Sequence, residues 1–271
     1  MSTAATEQWD RRRLVRTLFG VALAVLLLLG GLGYAVYSAV ASTKSAPIAP
    51  ARLQAAEQLP PGEGRRGGIA AAPMLAVPPE AARSGTPSAR QSPTISIPPA
   101  GRVGPAEVPT GFPHTPQGAV GQLAAIETTV LQSMSIERAH QVHAAWSAPG
   151  APPAESWELT ANIQAFLGSG AGQYRDQLNA SVVTTLAAAQ VKGIDGADWV
   201  LACVLLDVTA RVATQARIAY GHCARMQWTT DAGGRWVIAA GAAPARAPST
   251  WPGTDLAIEA GWKTVTSDLD Q

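Results

Sequence analysis

The sequence predicts one transmembrane helix followed by an external α+β domain, in which several helices precede a three-stranded antiparallel meander. Three observations predict it. Residues 17–40, TLFGVALAVLLLLGGLGYAVYSAV, carry no charge, and a helix needs about 20 such residues to cross the hydrocarbon core. Residues 44–110 are crowded with proline. Beyond residue 111 the apolar spacing is first helical and then, after Gly196, strand-like.

The tail 1–16 ends in Arg11, Arg12, Arg13 and Arg16, while Lys44 is the nearest basic residue beyond the apolar run. The positive-inside rule then puts the N-terminus in the cytoplasm and the C-terminal domain outside the cell membrane, with the lipid bilayer as a partner. A cleaved signal peptide is the rival reading, but its apolar core runs to about 7–15 residues, and this one is longer. Gly31, Ala35 and Ala39 form a small-residue series that admits packing of two anchors into a homo-oligomer.

From 44 to 110 the prolines fix φ and remove amide donors, and few apolar residues stand between them. This predicts a disordered, partly polyproline-II linker, with a mean span of roughly 45–50 Å as a coil.

The domain is expected over 111–265, with a frayed tail at 266–271. Thr115 caps a first helix with Pro116 at its first position, running to about Met134. A second helix is expected from Ser135 to about Trp146, a third from about Ala154 to Leu167, and a fourth from about Tyr174 to Val191. Asp198 to Ala210 is nearly all apolar, which suits a strand covered on both faces. In Ala216 to Thr229 one parity holds Ile218, Tyr220, Met226 and Trp228 and the other Arg217, Cys223 and Arg225. The first set is expected against the helices and the second on a wetter face. Asp231 to Gly234 forms a turn, Arg235 to Ala240 a third strand, and Thr254 or Asp255 caps a last short helix to Lys263.

The chain of 271 residues has a net charge of +1, so no nucleic-acid footprint is expected. Glu137, His140 and His143 share one face of the second helix, but an iron site of that type needs a second such motif and further carboxylates; no metal or cofactor is expected. His222 and Cys223 are neighbours on a strand and face opposite ways. Asp207 interrupts an apolar strand and is expected to pair with Arg217, with a pocket acid as the alternative. No nucleophile, base and orienting group assemble, so no catalytic residue is assigned. If the first hairpin turns at Ala213, opposed residues have numbers summing to 426, and Cys203 meets Cys223. Outside the cytoplasm that pair is expected as a disulfide.

Three phrases carry a resemblance. They are Gly111-Phe112-Pro113-His114-Thr115-Pro116-Gln117-Gly118-Ala119-Val120, Gly234-Arg235-Trp236-Val237-Ile238 and Ala247-Pro248-Ser249-Thr250-Trp251-Pro252-Gly253. They resemble membrane proteins of actinobacterial integrative and conjugative elements. The element order resembles the bitopic, nuclear transport factor 2-like scaffold subunits of type IV secretion and conjugation machines. The resemblance implies a cone-like domain and a non-catalytic envelope scaffold that meets other envelope proteins of a transfer complex. The alternative is an extracytoplasmic small-ligand-binding or enzymatic cone domain. Titratable groups converging in a cavity would favour that alternative; a filled core and an exposed apolar patch would favour the scaffold.

Overall fold

The computed structural model describes residues 48–169, 180–212 and 215–267. Its centre is the apolar run foreseen near Asp198. Strand β5 (Trp199–Arg211) lies between β4 (Ser181–Ile194) and β6 (Gln215–Thr229), and residues 199–206 are all buried. With β1 (Thr94–Ile97), β7 (Arg235–Ile238) and β8 (Lys263–Ser267) these make one six-stranded sheet, ordered β1-β8-β4-β5-β6-β7 and curled into a half-barrel. β1 runs parallel to β8, and the other neighbours are antiparallel. Two register shifts in β4, at Leu186/Ala188 and Val191/Gly193, mark bulges of the kind that bend a strand. A separate ladder joins β2 (Arg102–Val103) to β3 (Pro109–Thr110).

One face of the sheet takes the helices. Thr115 accepts from the Gly118 amide and opens α3 (Pro116–Ser133), and Ser135 accepts from Arg138 to open α4 (Ile136–Trp146). After a 3-10 turn at Ala154–Ser156, α5 spans Glu158–Gly168. Val120, Leu123, Ile126 and Val130 pack on Val200, Ala202, Val204 and Leu206, joined by Met226 and Trp236. Three fully buried tryptophans each donate their indole N–H to the carbonyl of a proline in a connecting segment. Trp146 reaches Pro105, Trp236 reaches Pro113 and Trp262 reaches Pro248, each at 3.0 Å.

The expected fold is corrected in four places. The helix foreseen at 174–191 is replaced from Ser181 on by β4, while 170–179 lie outside the described residues. Its alanines favour a helix, but Val182, Val183, Thr184, Thr185 and Val191 suit a strand, and pairing with β5 decides. The meander β5-β6-β7 exists, but it is half of a six-stranded sheet rather than the whole of a three-stranded one. The last helix is only α6 (Asp255–Glu259), and the chain then continues as β8, placing 266 and 267 in a strand.

The largest correction concerns 44–110. From Ile48 on, this stretch builds α1 (Ile48–Glu57), α2 (Glu63–Ala71), β1, β2 and β3. It covers the sheet face expected to be wet, together with the segment 244–262: Ile69, Ala70 and Met74 meet Trp199, Leu201, Cys203 and Cys223. Arg225 is 5% exposed and pairs with Glu63 at 2.9 Å. Asp195 accepts from the Gly62 amide at 3.1 Å and from Arg66 Nε at 2.6 Å, and Lys192 donates to the carbonyls of Ala70 and Ala72. The stretch has too little apolar surface for a core of its own. It uses the outer face of β5, which is apolar on both sides.

Among the described residues no helix is long and apolar enough to cross a membrane. This corrects the single-pass localisation, which is not carried forward. The apolar residues described here are spent inside the domain, in strands of the sheet and on the sheet-facing sides of short helices. The stretch 17–40 itself lies outside the described residues.

Candidate functional site

On α3, Glu127 stands four residues after Leu123 and three before Val130, so it shares their sheet-facing stripe and is 0% exposed. Opposite it, β6 directs Tyr220 and His222 to the same face, their rings stacked at 5.9 Å with planes 10° apart. His222 Nδ1 lies 2.6 Å from Glu127 Oε1. His222 Nε2 lies 4.0 Å from Glu158 Oε2 at the start of α5, and Tyr220 donates its hydroxyl to Glu158 Oε1 at 3.0 Å. Four titratable side chains thus run from a sealed carboxylate, Glu127, to a partly exposed one, Glu158.

Their electrostatics follow from burial. Burial raises the Glu127 carboxyl, and the charge and hydrogen bond of His222 only partly offset it. Burial pulls the His222 imidazole down, but the Glu127 charge, the Glu127 hydrogen bond and the Glu158 charge together carry it above its ordinary value. The Tyr220 phenol is raised well above its usual range by burial and by the two carboxylates, so it stays a neutral donor. Glu127 Oε2 is buried with no hydrogen-bond partner.

Beside this cluster opens an apolar cavity of about 520 Å³. Leu131 and Met134 from the end of α3, Ile163 and Phe166 from α5, and Val182, Val208, Ala210 and Ile218 from the sheet form its walls. Asn162 and Tyr220 bring polar atoms to it. Two further hollows adjoin. One of about 220 Å³ has His222, Glu158, His143 and Arg225 on its walls, and one of about 560 Å³ follows β6 and shares Tyr220, Asn162 and Glu158.

The residues singled out from the sequence lie partly elsewhere. Cys203 and Cys223 form the expected disulfide, in the expected register: Cys203 opposes Cys223, Leu205 opposes Gly221 and Asp207 opposes Ala219. Asp207 pairs with Arg217, whose guanidinium also lies over Trp251 at 4.7 Å. The pocket-acid alternative for Asp207 is thereby set aside in favour of the ion pair. Glu137 accepts from Gln141 on the exposed side of α4, whereas His143 is buried against Trp157, its imidazole lowered mainly by burial. Among the described residues no three His, Cys, Asp or Glu side chains group as metal ligands. His222 and Cys223 do face opposite ways, and only the histidine joins the cluster. Glu127 and Glu158 were not foreseen. The signal for Glu127 was a lone acid inside the apolar stripe of the first helix; Glu158 follows Trp157 with no local mark of its role.

No family model matches the chain, and neither a curated protein nor a solved structure matches it.

Proposed function

We propose that the domain is a small-molecule-binding module. Its ligand is mainly apolar, with one hydrogen-bonding group at one end. The observation that carries this reading is the cavity of about 520 Å³ with an almost wholly aliphatic and aromatic wall and with Tyr220 and Asn162 at its polar side. That size and lining suit a ligand site, where apolar walls supply affinity and a few polar groups fix orientation. The Tyr220 hydroxyl donates to Glu158 and is also hydrogen-bonded by Asn162, which leaves one lone pair for a ligand donor. A filled core would have suited the non-catalytic scaffold of a conjugative apparatus that the sequence resemblance implies. The open cavity beside a titratable cluster favours the ligand reading.

The test is binding of a defined apolar probe, 1-naphthol or decanol, by calorimetry and by thermal shift. A bound probe stabilises the fold by about 2.7 kcal/mol at a hundredfold excess over Kd. Filling the cavity by Ala210→Phe is expected to abolish binding while raising or preserving stability, and Tyr220→Phe to weaken it about tenfold. Binding that Ala210→Phe leaves unchanged would overturn the proposal, as would no saturable binding of either probe.

A further inference from the structure

The phenol on the wall of the apolar cavity meets a ligand as an acceptor. Tyr220 spends its hydroxyl proton on Glu158 Oε1 at 3.0 Å. Asn162 bonds the same phenol oxygen in the sense that favours the phenolate, which makes its amide the donor. One lone pair and no proton are left for a ligand. An alcohol or an amine can donate to that lone pair, whereas a carboxylate, which only accepts, cannot.

Charge separates the two donors. Behind Tyr220 stand two carboxylates, Glu127 and Glu158, against one imidazole, His222. Glu127 takes that imidazole at 2.6 Å inside the core, while Glu158 Oε2 is 4.0 Å from it, beyond hydrogen-bond reach. Glu158 is thus the carboxylate in excess, and its side chain is 43% exposed. Asp207 and Arg217 neutralise each other on the opposite face of the hairpin. Arg246 shares the two adjoining hollows with Glu158 but not the apolar cavity. A ligand donor on the phenol oxygen stands no more than about 6 Å from Glu158 Oε1, one hydrogen-bond length beyond Tyr220. Apolar walls screen a charge weakly at that range.

We infer that the cavity takes an amphiphilic amine, with its apolar body against the aliphatic walls and its protonated amino group on the Tyr220 oxygen, facing Glu158. The inference rests on the small-molecule reading and adds to it the charge of the ligand's head. An ammonium gains the hydrogen bond and the attraction of Glu158. An alcohol gains only the bond, and a carboxylate meets a lone pair and a like charge. The other N–H groups of the ammonium have the Asn162 carbonyl oxygen and water for partners. Because Glu158 is partly exposed, the head stays partly hydrated and escapes the full cost of burying a charge. A hydrogen bond from a charged donor is roughly twice as strong as a neutral one, so an amine should outbind the alcohol of equal length by about tenfold.

The test uses the full chain and three probes of one length, decylamine, decanol and decanoate, each kept below its micelle concentration. In calorimetry near pH 7, where an alkyl amine is charged, decylamine is expected to bind about tenfold tighter than decanol, and decanoate at least tenfold weaker than decanol. Glu158→Gln keeps an acceptor for the Tyr220 hydroxyl and removes the charge. It should bring decylamine to within about threefold of decanol and leave decanol unchanged. If that variant does not fold, ionic strength decides on the natural chain: raising NaCl from about 20 to about 500 mM should narrow the advantage of the amine over the alcohol. Saturable binding of decanol with no preference for decylamine, or a preference that neither Glu158→Gln nor salt reduces, would overturn the inference and leave the small-molecule reading standing. A preference that survives Ala210→Phe would put the amine outside the cavity and overturn the inference. Binding of none of the three probes would overturn both.

Discussion

His222 Nδ1 sits 2.6 Å from Glu127 Oε1, inside a core where that carboxylate is 0% exposed. Both groups are raised above their ordinary values, and a raised group gives stability that is present at low pH and is lost as pH rises through its folded midpoint. The Glu127 window therefore opens near pH 4.5 and the His222 window near pH 6.5, the ordinary values of the two groups, and both extend upward. Lys192 works the other way: burial holds it at about 8, so its contribution grows as pH rises beyond that. The difference in melting temperature between the natural chain and His222→Gln, measured from pH 5 to 9, cancels Lys192. It should be largest at low pH and shrink as pH rises. Imidazole NMR should place the His222 midpoint above 6.5. In Glu127→Gln it should fall below 6.5, because burial, the largest influence, then faces only the Glu158 charge. A midpoint that Glu127→Gln leaves in place would contradict the pairing.

Asp195 ties the chain before the sheet to the β4–β5 turn, through the Gly62 amide and Arg66. Replacing it with Ala removes two charge-assisted hydrogen bonds, each of about 1.5–3 kcal/mol. We expect a loss of roughly 3–6 kcal/mol and faster tryptic cleavage after Arg65 and Arg66 than at other arginines. Unchanged cleavage there would show that the apolar contacts of Ile69 and Ala70 alone hold α2.

The Cys203–Cys223 disulfide closes a loop of sequence separation 20 and is worth roughly 3 kcal/mol in the chain-entropy account. Reduction, or the double Cys→Ala substitution, should lower the melting temperature by about 6–12 °C for a domain of this size. The sheet should survive, because both cysteines lie in the interior of long strands whose ladders stay intact. Circular dichroism before and after reduction measures both effects.

The hairpin β5–β6 was legible to the residue because period, parity and one cysteine pair all agreed there. The caps of α3 and α4 were legible because Thr115, Pro116 and Ser135 act locally. The stretch 44–110 was misread because its order is not local. Ile69, Ala70 and Met74 are too few to form a core, and they are covered only because β5 offers a second apolar face. β4 was misread because its alanine run speaks for a helix until β5 is beside it. The same blindness hid the site: Glu127, Glu158 and His222 come from three elements, and only the curl of the sheet brings them together.

Gly221 tests how tightly the C-terminal segment is laid on the sheet. A Cβ there would stand 2.6 Å from the Pro248 carbonyl oxygen, 3.0 Å from its carbon and 3.2 Å from Trp262 Cζ2. That oxygen accepts the Trp262 indole N–H at 3.0 Å, and the Gly221 amide is itself held by Ser249. The obstruction is backbone, so a side chain cannot swing away; the segment must lift and loosen the indole bond. Gly221→Ala should therefore cost about 1–3 kcal/mol, read as a lower urea midpoint at unchanged slope. Gly168→Ala, where a Cβ meets nothing within 4 Å at the end of α5, is the control and should be neutral or stabilising by up to about 1 kcal/mol. Tryptophan fluorescence should move with Gly221→Ala and not with the control, since Trp262 alone among the two sites touches the displaced carbonyl. Equal stability of the two variants would mean that the segment 244–262 yields freely and is not pinned to β6.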